Sequence, residues 1–448
     1  MKKIIFLDID GVLNSSKFVS ENGLENFIDE TKVQLLREIV DATGAEIVLT
    51  STRREYWNRE PSLCDEQGEY INRMLGKCGL TIFDKTTDIS YSARVTEVMM
   101  WVKENDVDAY VVFDDEEIYR FPEEHFVKTK LEEGLQPRHV RRAEAILNGT
   151  YEKRCIIDTH AHLTHRKFNS RFRYAIGDGN GFALGMGTRE GMISKMADEN
   201  IRYYIEPAIS LESNQRVIDF CKEHSFCFPA VGVHPVGFCD FENRFKLEEI
   251  LADNLDSVVA VGETGIDFEY TRNPWYNQLK WFDYQISLAD KYNKPLILHV
   301  RKAHSAVLTM LKLRKKKLHG GVVHCFTGNA KTAEEYIKLG FYIGIGSALI
   351  GAYPLAEELE DTVKNIPLSS ILIETDSPFL CPRGVIHWQR RPRRAGTCIT
   401  YARDIKNSPL ILPNVIARIA EIKGMDYDDV ELAVMENAVK AFNLNIEL

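Results

Sequence analysis

Beyond residue 154 the chain alternates short apolar runs with stretches of helical periodicity, and eight of the runs read as strands: 155–163, 202–209, 227–233, 258–266, 295–300, 321–326, 341–347 and 371–375. Strand and helix in regular alternation predict a parallel sheet. Eight such units within about 300 residues predict a (β/α)8 TIM barrel, whose reactive side chains sit at the carboxyl ends of the strands. The first 150 residues alternate similarly, with strands at 3–7, 46–49 and 109–113, a helical segment at 31–43 and another carrying Arg94 near its start. That pattern predicts a smaller Rossmann-like parallel sheet with ligands at its strand ends. A helical stretch at 138–147 and a few further residues join the two parts without a Gly/Ser-rich or Pro-rich spacer. The expected organisation is two α/β domains, 1–150 and 154–448.

The barrel pattern demands polar side chains at its strand ends, and they are present. His160 and His162 close the first run, where a period of two puts both side chains on one face. His234 follows the third run, Glu263 lies near the end of the fourth, His299 ends the fifth, His324 the sixth, and Glu374 and Asp376 the eighth. Histidines and carboxylates converging on a barrel mouth suit one or two divalent ions such as Zn²⁺, Mn²⁺ or Mg²⁺. Such a site activates water for hydrolysis and needs a carboxylate to take its proton. Asp376 is placed to be both ligand and base.

In the first domain an apolar strand runs into Asp8-Ile9-Asp10-Gly11, with both carboxylates on one side and Gly11 free to turn tightly. Two carboxylates this close need a cation or a proton. The second strand ends in Thr50-Ser51-Thr52-Arg53-Arg54, hydroxyls and cations that suit phosphate, and the third ends in Asp114-Asp115.

Composition narrows the class without naming it. Hydrophobic residues make up 44% and charged residues 27%, ordinary for a soluble enzyme, and no apolar run is long enough to span a bilayer. Asp8 and Asp10 interrupt the apolar start before it resembles a signal sequence, so a cytoplasmic location is expected. Nine cysteines without a C-x-x-C pair are expected to be reduced core residues. The net charge of −10 repels nucleic acid as a whole, so such a substrate must be held by metal ions and local basic patches. Candidate patches are the 164–200 segment, with Arg166, Lys167, Arg171 and Arg173 ahead of six glycines, and the stretch from Arg383 through Trp388 to Arg390, Arg391, Arg393 and Arg394. Arginines with a tryptophan suit phosphate contact and base stacking. The 164–200 segment reads as a nucleic-acid contact, a partner-binding flap or an irregular insertion.

From about Arg154 onward the sequence resembles the TatD family of metal-dependent deoxyribonucleases. The resemblance rests on Asp158-Thr159-His160-Ala161-His162, Gly232-Val233-His234-Pro235, Gly262-Glu263-Thr264-Gly265, His299-Val300-Arg301, His324-Cys325-Phe326 and Glu374-Thr375-Asp376-Ser377-Pro378. It implies that His160, His162, Glu263 and Asp376 hold one metal, that Glu263 bridges to a second held by His299 and His324, and that His234 and Glu374 lie beside them. It implies phosphodiester hydrolysis, exonucleolytic and on single strands, with DNA favoured as substrate. Residues 1–150 resemble the haloacid dehalogenase (HAD) superfamily at Asp8-Ile9-Asp10-Gly11, close to the small domains often found beside RNA-repair functions. By that resemblance Asp8 is the phosphoryl-accepting nucleophile, Asp10 the acid and base, Thr50 or Ser51 and Arg94 bind phosphate, and Asp114 or Asp115 completes a Mg²⁺ site. The implied whole is a nuclease joined to a domain that removes or recognises phosphate ends. Its rivals are a hydrolase of amide, lactone or aminoacyl ester bonds, and a subunit of a DNA repair or defence complex whose protein partners matter more than its catalysis.

Overall fold

The computed structural model describes the chain apart from residues 24–25, 90–93, 117–122, 152–154, 178–180, 271, 353–355, 383–404 and 447–448. The chain divides into two compact units, Met1–Lys153 and Arg154–Leu448.

The first unit is a five-stranded parallel sheet of β1 (Lys3–Leu7), β2 (Glu46–Leu49), β3 (Ile82–Lys85), β4 (Ala109–Asp114) and β5 (Phe126–Lys128), in the order β3-β2-β1-β4-β5. β1 is central because Ile4, Ile5, Phe6 and Leu7 are apolar on both faces and fully buried. The apolar pattern finds β1, β2 and β4 but passes over β3 and β5. Those two lie at the sheet edges, are three or four residues long and carry Asp84, Lys85 and Lys128. The helix Glu30–Thr43 begins where the Asp29 side chain accepts from the Thr31 N–H and ends at Gly44 in the left-handed conformation. It buries Val33, Leu36 and Ile39. The strand order reverses beside β1, so the residues just past β1 and β2 and at the end of β4 meet at one crevice.

The second unit contains the expected barrel. β6 (Ile156–Asp158), β9 (Ile201–Pro207), β10 (Cys227–Val231), β11 (Ala260–Asp267), β12 (Leu296–Arg301), β13 (Gly321–Val323), β14 (Phe341–Ile345) and β15 (Ile371–Ile373) follow one another around an eight-stranded parallel sheet. Each expected apolar run contains most or all of one of these strands. β15 and β6 meet through separate contacts rather than a regular ladder. The Thr159 N–H donates to the Ile373 carbonyl at 3.1 Å, the Asp376 N–H to the His160 carbonyl at 2.8 Å, and the His162 N–H to the Ser377 carbonyl at 2.8 Å. The buried Asp158 carboxylate reinforces the join by accepting from the Thr375 N–H at 3.0 Å and the Thr375 hydroxyl at 2.6 Å.

Residues 164–200 do not form an irregular insertion. They contain an antiparallel pair, β7 (Phe172–Gly177) and β8 (Phe182–Gly187), followed by the helix Arg189–Asp198, and β7 also pairs in parallel with β16 (Ile405–Lys406). At Gly185 a β-carbon would stand 2.3 Å from the Tyr174 ring, so glycine lets the aromatic side chain cross the pair. Gly177 is packed as closely, since a β-carbon there would stand 1.8 Å from the Asn414 side chain, so these two glycines mark close packing rather than looseness. The expectation of reduced cysteines is also corrected at one pair, because Cys221 in a helix's last turn and Cys227 at the start of β10 form a disulfide. Helix and strand run back to back there, bringing residues six apart in sequence to a Cα separation of 4.8 Å. Among the described residues no helix is long and apolar enough to cross a membrane.

His304, at the start of the helix His304–Leu313, illustrates a purely structural histidine. Its Nδ1 lies 3.1 Å from the Tyr336 hydroxyl, its Nε2 is buried without a hydrogen-bond partner, and its ring contacts Phe326. Burial lowers its pKa to about 4. The unfolded chain therefore takes up a proton near pH 6.5 while the folded one does not, and stability should fall as pH drops from about 6.5 to about 4. Urea midpoints across that window should show a shallower acid slope in His304→Phe; a slope equal to wild type would refute the assignment.

Candidate metal centres

At the barrel mouth the tertiary structure gathers side chains from five strand ends around one carboxylate. β11 carries Glu263 in a stretch where its register with β12 shifts between Val261 and Thr264, and the side chain is only 2% exposed. Glycines let the neighbouring strands close around this stretch. A β-carbon on Gly262 would stand 2.6 Å from the Ile297 side chain, and one on Gly232 would stand 2.6 Å from the Gly262 backbone. The two oxygens of Glu263 face different partners. Oε1 lies 3.2 Å from His162 Nε2 and 3.6 Å from His160 Nε2. Oε2 lies 3.0 Å from His324 Nε2, 3.7 Å from His234 Nε2 and 3.9 Å from His299 Nδ1. Asp376 Oδ1 approaches the first pair, 3.4 Å from His162 and 3.9 Å from His160.

These distances test whether the residues suit a metal. Nε2 of His160 and Nε2 of His162 are 3.2 Å apart and both face the same two carboxylates. Imidazole and carboxylate lone pairs converging in a buried space are satisfied by a shared divalent cation. The protein's own charges already lean that way. Burial raises the Glu263 carboxyl, but His160, His234 and His324 overcome it and hold the group well below its usual range. Burial likewise opposes the charged forms of Asp376 and His162, and their mutual pairing prevails, lowering the acid and raising the histidine. His160, His162 and Glu263 form one group able to hold an ion, and His234, Glu263 and His299 form another.

Residues behind the candidate ligands set their orientation, a task the sequence patterns did not assign to them. Asp267 Oδ2 lies 2.9 Å from His299 Nε2, leaving Nδ1 directed at Glu263. Its other oxygen accepts from the backbone N–H groups of Glu269 and Tyr270, each at 2.7 Å. The Pro207 carbonyl lies 3.2 Å from His162 Nδ1, and Asp158 accepts from the His160 N–H at 3.1 Å. Asp158 stands in the first barrel motif, but only the fold shows which histidine Asp158 and Asp267 each steady. Glu374 is 1% exposed, lies 3.8 Å from His324 Nδ1 and accepts from the Cys325 N–H. Gly344 leaves the space it fills. Burial pushes the Glu374 carboxyl well above its usual range. Cys325 and Asp376, just past β13 and β15, have positive φ angles of 46° and 54°, strain of the kind that marks functional turns.

The first unit has its own acidic cluster. Asp8, Asp114 and Asp115 are placed to hold a metal together. The Arg94 guanidinium donates to Asp8 Oδ2 at 2.7 Å and also to Asp114. Burial and the nearby Asp8 charge raise the Asp114 carboxyl. Asp10 is turned toward Arg53, which sequence reasoning noted only as part of a basic run; Arg53 grips it through Nε at 2.8 Å and Nη2 at 3.1 Å while lying over the Phe27 ring. The Thr50 hydroxyl is buried without a partner, and the Ser51 hydroxyl caps the turn by accepting from the Arg53 N–H. A β-carbon on Gly11 would stand 2.2 Å from Asp115, so glycine is required at that turn. Arg390, Arg391, Arg393 and Arg394 lie outside the described residues.

A parallel eight-stranded barrel with imidazoles and carboxylates gathered at its mouth defines a metal-dependent hydrolase. Residues 157–443 match the family model described as TatD related DNase, and the chain belongs to that family. Residues 4–140 match a model described as a HAD domain in Swiss Army Knife RNA repair proteins. The metal-dependent hydrolase YabD of Bacillus subtilis (strain 168) is 30% identical over 292 residues, spanning 65% of this chain and 100% of that protein. The 3'-5' ssDNA/RNA exonuclease TatD of Erwinia tasmaniensis is 29% identical over 59% of this chain and 100% of its own length. The crystal structure of YjjV, a TatD homologue from Escherichia coli K12, covers 64% of this chain and 98% of its own at a TM-score of 0.52 and 27% identity. This protein is therefore a TatD-family hydrolase of ester bonds that depends on divalent metal and carries a HAD domain ahead of its barrel.

Asp267→Asn removes the anionic partner of His299 while keeping its shape. Metal affinity should fall about 10- to 100-fold, the usual cost of losing such a partner. Titration calorimetry of the metal-stripped protein checks this; an unchanged affinity would show that His299 is not steadied by Asp267.

Proposed function

We propose that the barrel hydrolyses phosphodiester bonds of single-stranded nucleic acid, DNA favoured, working from an end. Two divalent ions would share Glu263, one held with His160, His162 and Asp376, the other with His299 and His324. The observation that carries this reading is the division of the Glu263 carboxylate, with one oxygen toward His160 and His162 and the other toward His299 and His324. Bound there, Mg²⁺, Mn²⁺ or Zn²⁺ would polarise the phosphoryl group and supply an activated water.

The chain's own groups have separate tasks. Asp376, the more exposed of the acidic ligands at 17%, is placed to take the proton of the attacking water. His234 has a pKa lowered to about 3 by burial and by His299. Its Nδ1 accepts from the Val236 N–H at 3.1 Å, so the neutral ring keeps its proton on Nε2, 3.7 Å from Glu263 Oε2 and beside the place a phosphoryl oxygen would take. Glu374 faces inward and holds the turn at Cys325 by accepting its N–H rather than touching substrate. Phe268, Tyr270 and Trp275, all more than 45% exposed on the connection after β11, offer flat faces to unpaired bases. The similarity to a protein named as a 3'-5' ssDNA/RNA exonuclease supports the substrate class.

In the first unit Asp8 would be the nucleophile toward a phosphate end and Asp10 the acid and base, with Arg94 and either Thr50 or Ser51 on the phosphate. Mg²⁺ held by Asp8, Asp114 and Asp115 would shield the incoming charge. Nucleic acid is the proposed partner. A repair or defence protein is the second candidate, with exposed Leu184 and Met186 on β8 as its apolar contact.

End-labelled oligonucleotides tested against a series of divalent metals decide between readings. The full chain should degrade single strands, lose activity to EDTA and regain it with one or more of the three metals. Glu263→Gln and Asp376→Asn should lower kcat by about 10²- to 10⁴-fold, the scale of losing a positioned acid or base. Hydrolysis of aminoacyl esters or lactones without any of DNA would overturn the assignment. Asp8→Asn should alter the phosphate state of the product ends; identical ends would refute the role given to the first unit.

A further inference from the structure

The segment between β6 and β9 brings a lysine to the edge of the barrel site. The short turn Arg166–Phe168 is capped by His165, whose Nδ1 accepts from the Lys167 N–H at 3.1 Å. Lys167 itself is exposed, and its Nζ lies 4.1 Å from the centre of the Phe379 ring. That ring is 5.1 Å from His165 and 6.0 Å from His162, centre to centre. Phe379 in turn belongs to the ligand-bearing turn, its N–H donating to the Asp376 carbonyl at 2.9 Å.

A second lysine reaches the same turn from a distant part of the chain. Lys406 lies on β16, which pairs with β7 through Ile405 opposite Arg173 and Lys406 opposite Tyr174. The next residue sews this strand to the ligand turn: the Asn407 side chain donates to the Thr375 carbonyl at 2.8 Å and its N–H to the Pro378 carbonyl at 3.3 Å. Burial and the like charge of Lys406 lower the pKa of Lys167, while Asp376 raises it. Among the described residues neither lysine has a carboxylate within ion-pair distance, in contrast to Arg301 and Lys302 at the same mouth, which both pair with Glu269. Two like charges beside a hydrolytic centre, neither of them ion-paired among the described residues, fit an anion supplied from outside.

We propose that Lys167 and Lys406 form a phosphate-binding clamp for the nucleic-acid strand, engaging a backbone phosphate next to the one being hydrolysed. This rests on the reading of the barrel as a nuclease and adds how the strand is held. It also explains how a protein of net charge −10 retains a polyanion, and it gives the β7–β8 segment a task, because β7 positions β16. The cationic contact contributes to binding rather than to chemistry, so its loss should appear in KM and in salt dependence.

The test uses the metal-loaded full chain with two substrates, a long oligothymidylate and a thymidine dinucleotide with a single phosphate. Variants are Lys167→Gln, Lys406→Gln, both together, and Lys167→Arg. For the double variant, KM on the long strand should rise about tenfold, and the logarithmic salt slope of kcat/KM should shrink by about 0.7 for each ammonium lost. The ratio of kcat/KM on the long strand to that on the dinucleotide should fall in parallel, and Lys167→Arg should recover most of it. An unchanged salt slope, or equal losses on both substrates with a lowered melting temperature, would overturn the clamp. If the wild type cleaves neither substrate, the nuclease reading fails instead, and equilibrium anisotropy of the labelled oligothymidylate decides the clamp: an unchanged Kd in the double variant refutes it.

Discussion

The barrel site depends on one buried carboxylate. Glu263 is surrounded by imidazoles on both sides, and a carboxylate taken out of water is tolerated only where charge and hydrogen bonding compensate for lost hydration. That requirement explains why so many histidines arrive from separate strands. It also explains the local backbone, where Gly232 and Gly262 leave no side chain in the way and the β11 register shifts to turn Glu263 inward. Each histidine is useful only if it points correctly. The outer contacts from Asp267, Asp158 and the Pro207 carbonyl therefore matter as much as the ligands.

Closure of the barrel and construction of the site are the same event. β6 and β15 are joined by hydrogen bonds at His160, His162, Asp376 and Ser377, the positions that carry or flank the ligands. Folding energy from the seam thus holds the chemistry in place, and strain at Cys325 and Asp376 is borne by a closed, well-packed sheet. The two units of the chain repeat one principle at different scales. In both, parallel strands deliver polar side chains to their carboxyl ends, and in both an acidic group is matched by nitrogen groups from neighbouring elements, the Arg94 and Arg53 guanidiniums in the first unit and imidazoles in the second.

The segment after β6 shows how composition misleads. Its glycines suggest a loose insertion, yet Gly185 lies against Tyr174 and the strand β7 pairs on both edges, with β8 and with β16. Glycine marks close approach as readily as freedom, and only the partner distinguishes them. The disulfide between Cys221 and Cys227 teaches the same lesson. Nothing in their spacing separates them from the other cysteines, and the return of a helix onto the following strand brings them together.

What the sequence determined by itself was whatever repeats locally. Buried parallel strands must be apolar on both faces, so all eight barrel strands could be read, as could β1, β2 and β4, and histidines or carboxylates at the ends of six of the eight runs marked candidate ligands. Edge strands β3 and β5 lacked that signal because half their surface meets solvent or a loop. What only the tertiary structure decided was pairing: that Glu263 divides its oxygens between two sets of histidines, that Asp267 steadies His299, that Glu374 faces inward, that Arg53 holds Asp10, that Lys167 lies over Phe379, and that β16 is tied to the same turn through Asn407. These are contacts between residues tens to hundreds of positions apart. The physical reason is that local periodicity fixes which face a side chain takes on its own strand, whereas its partner is set by how the whole sheet closes.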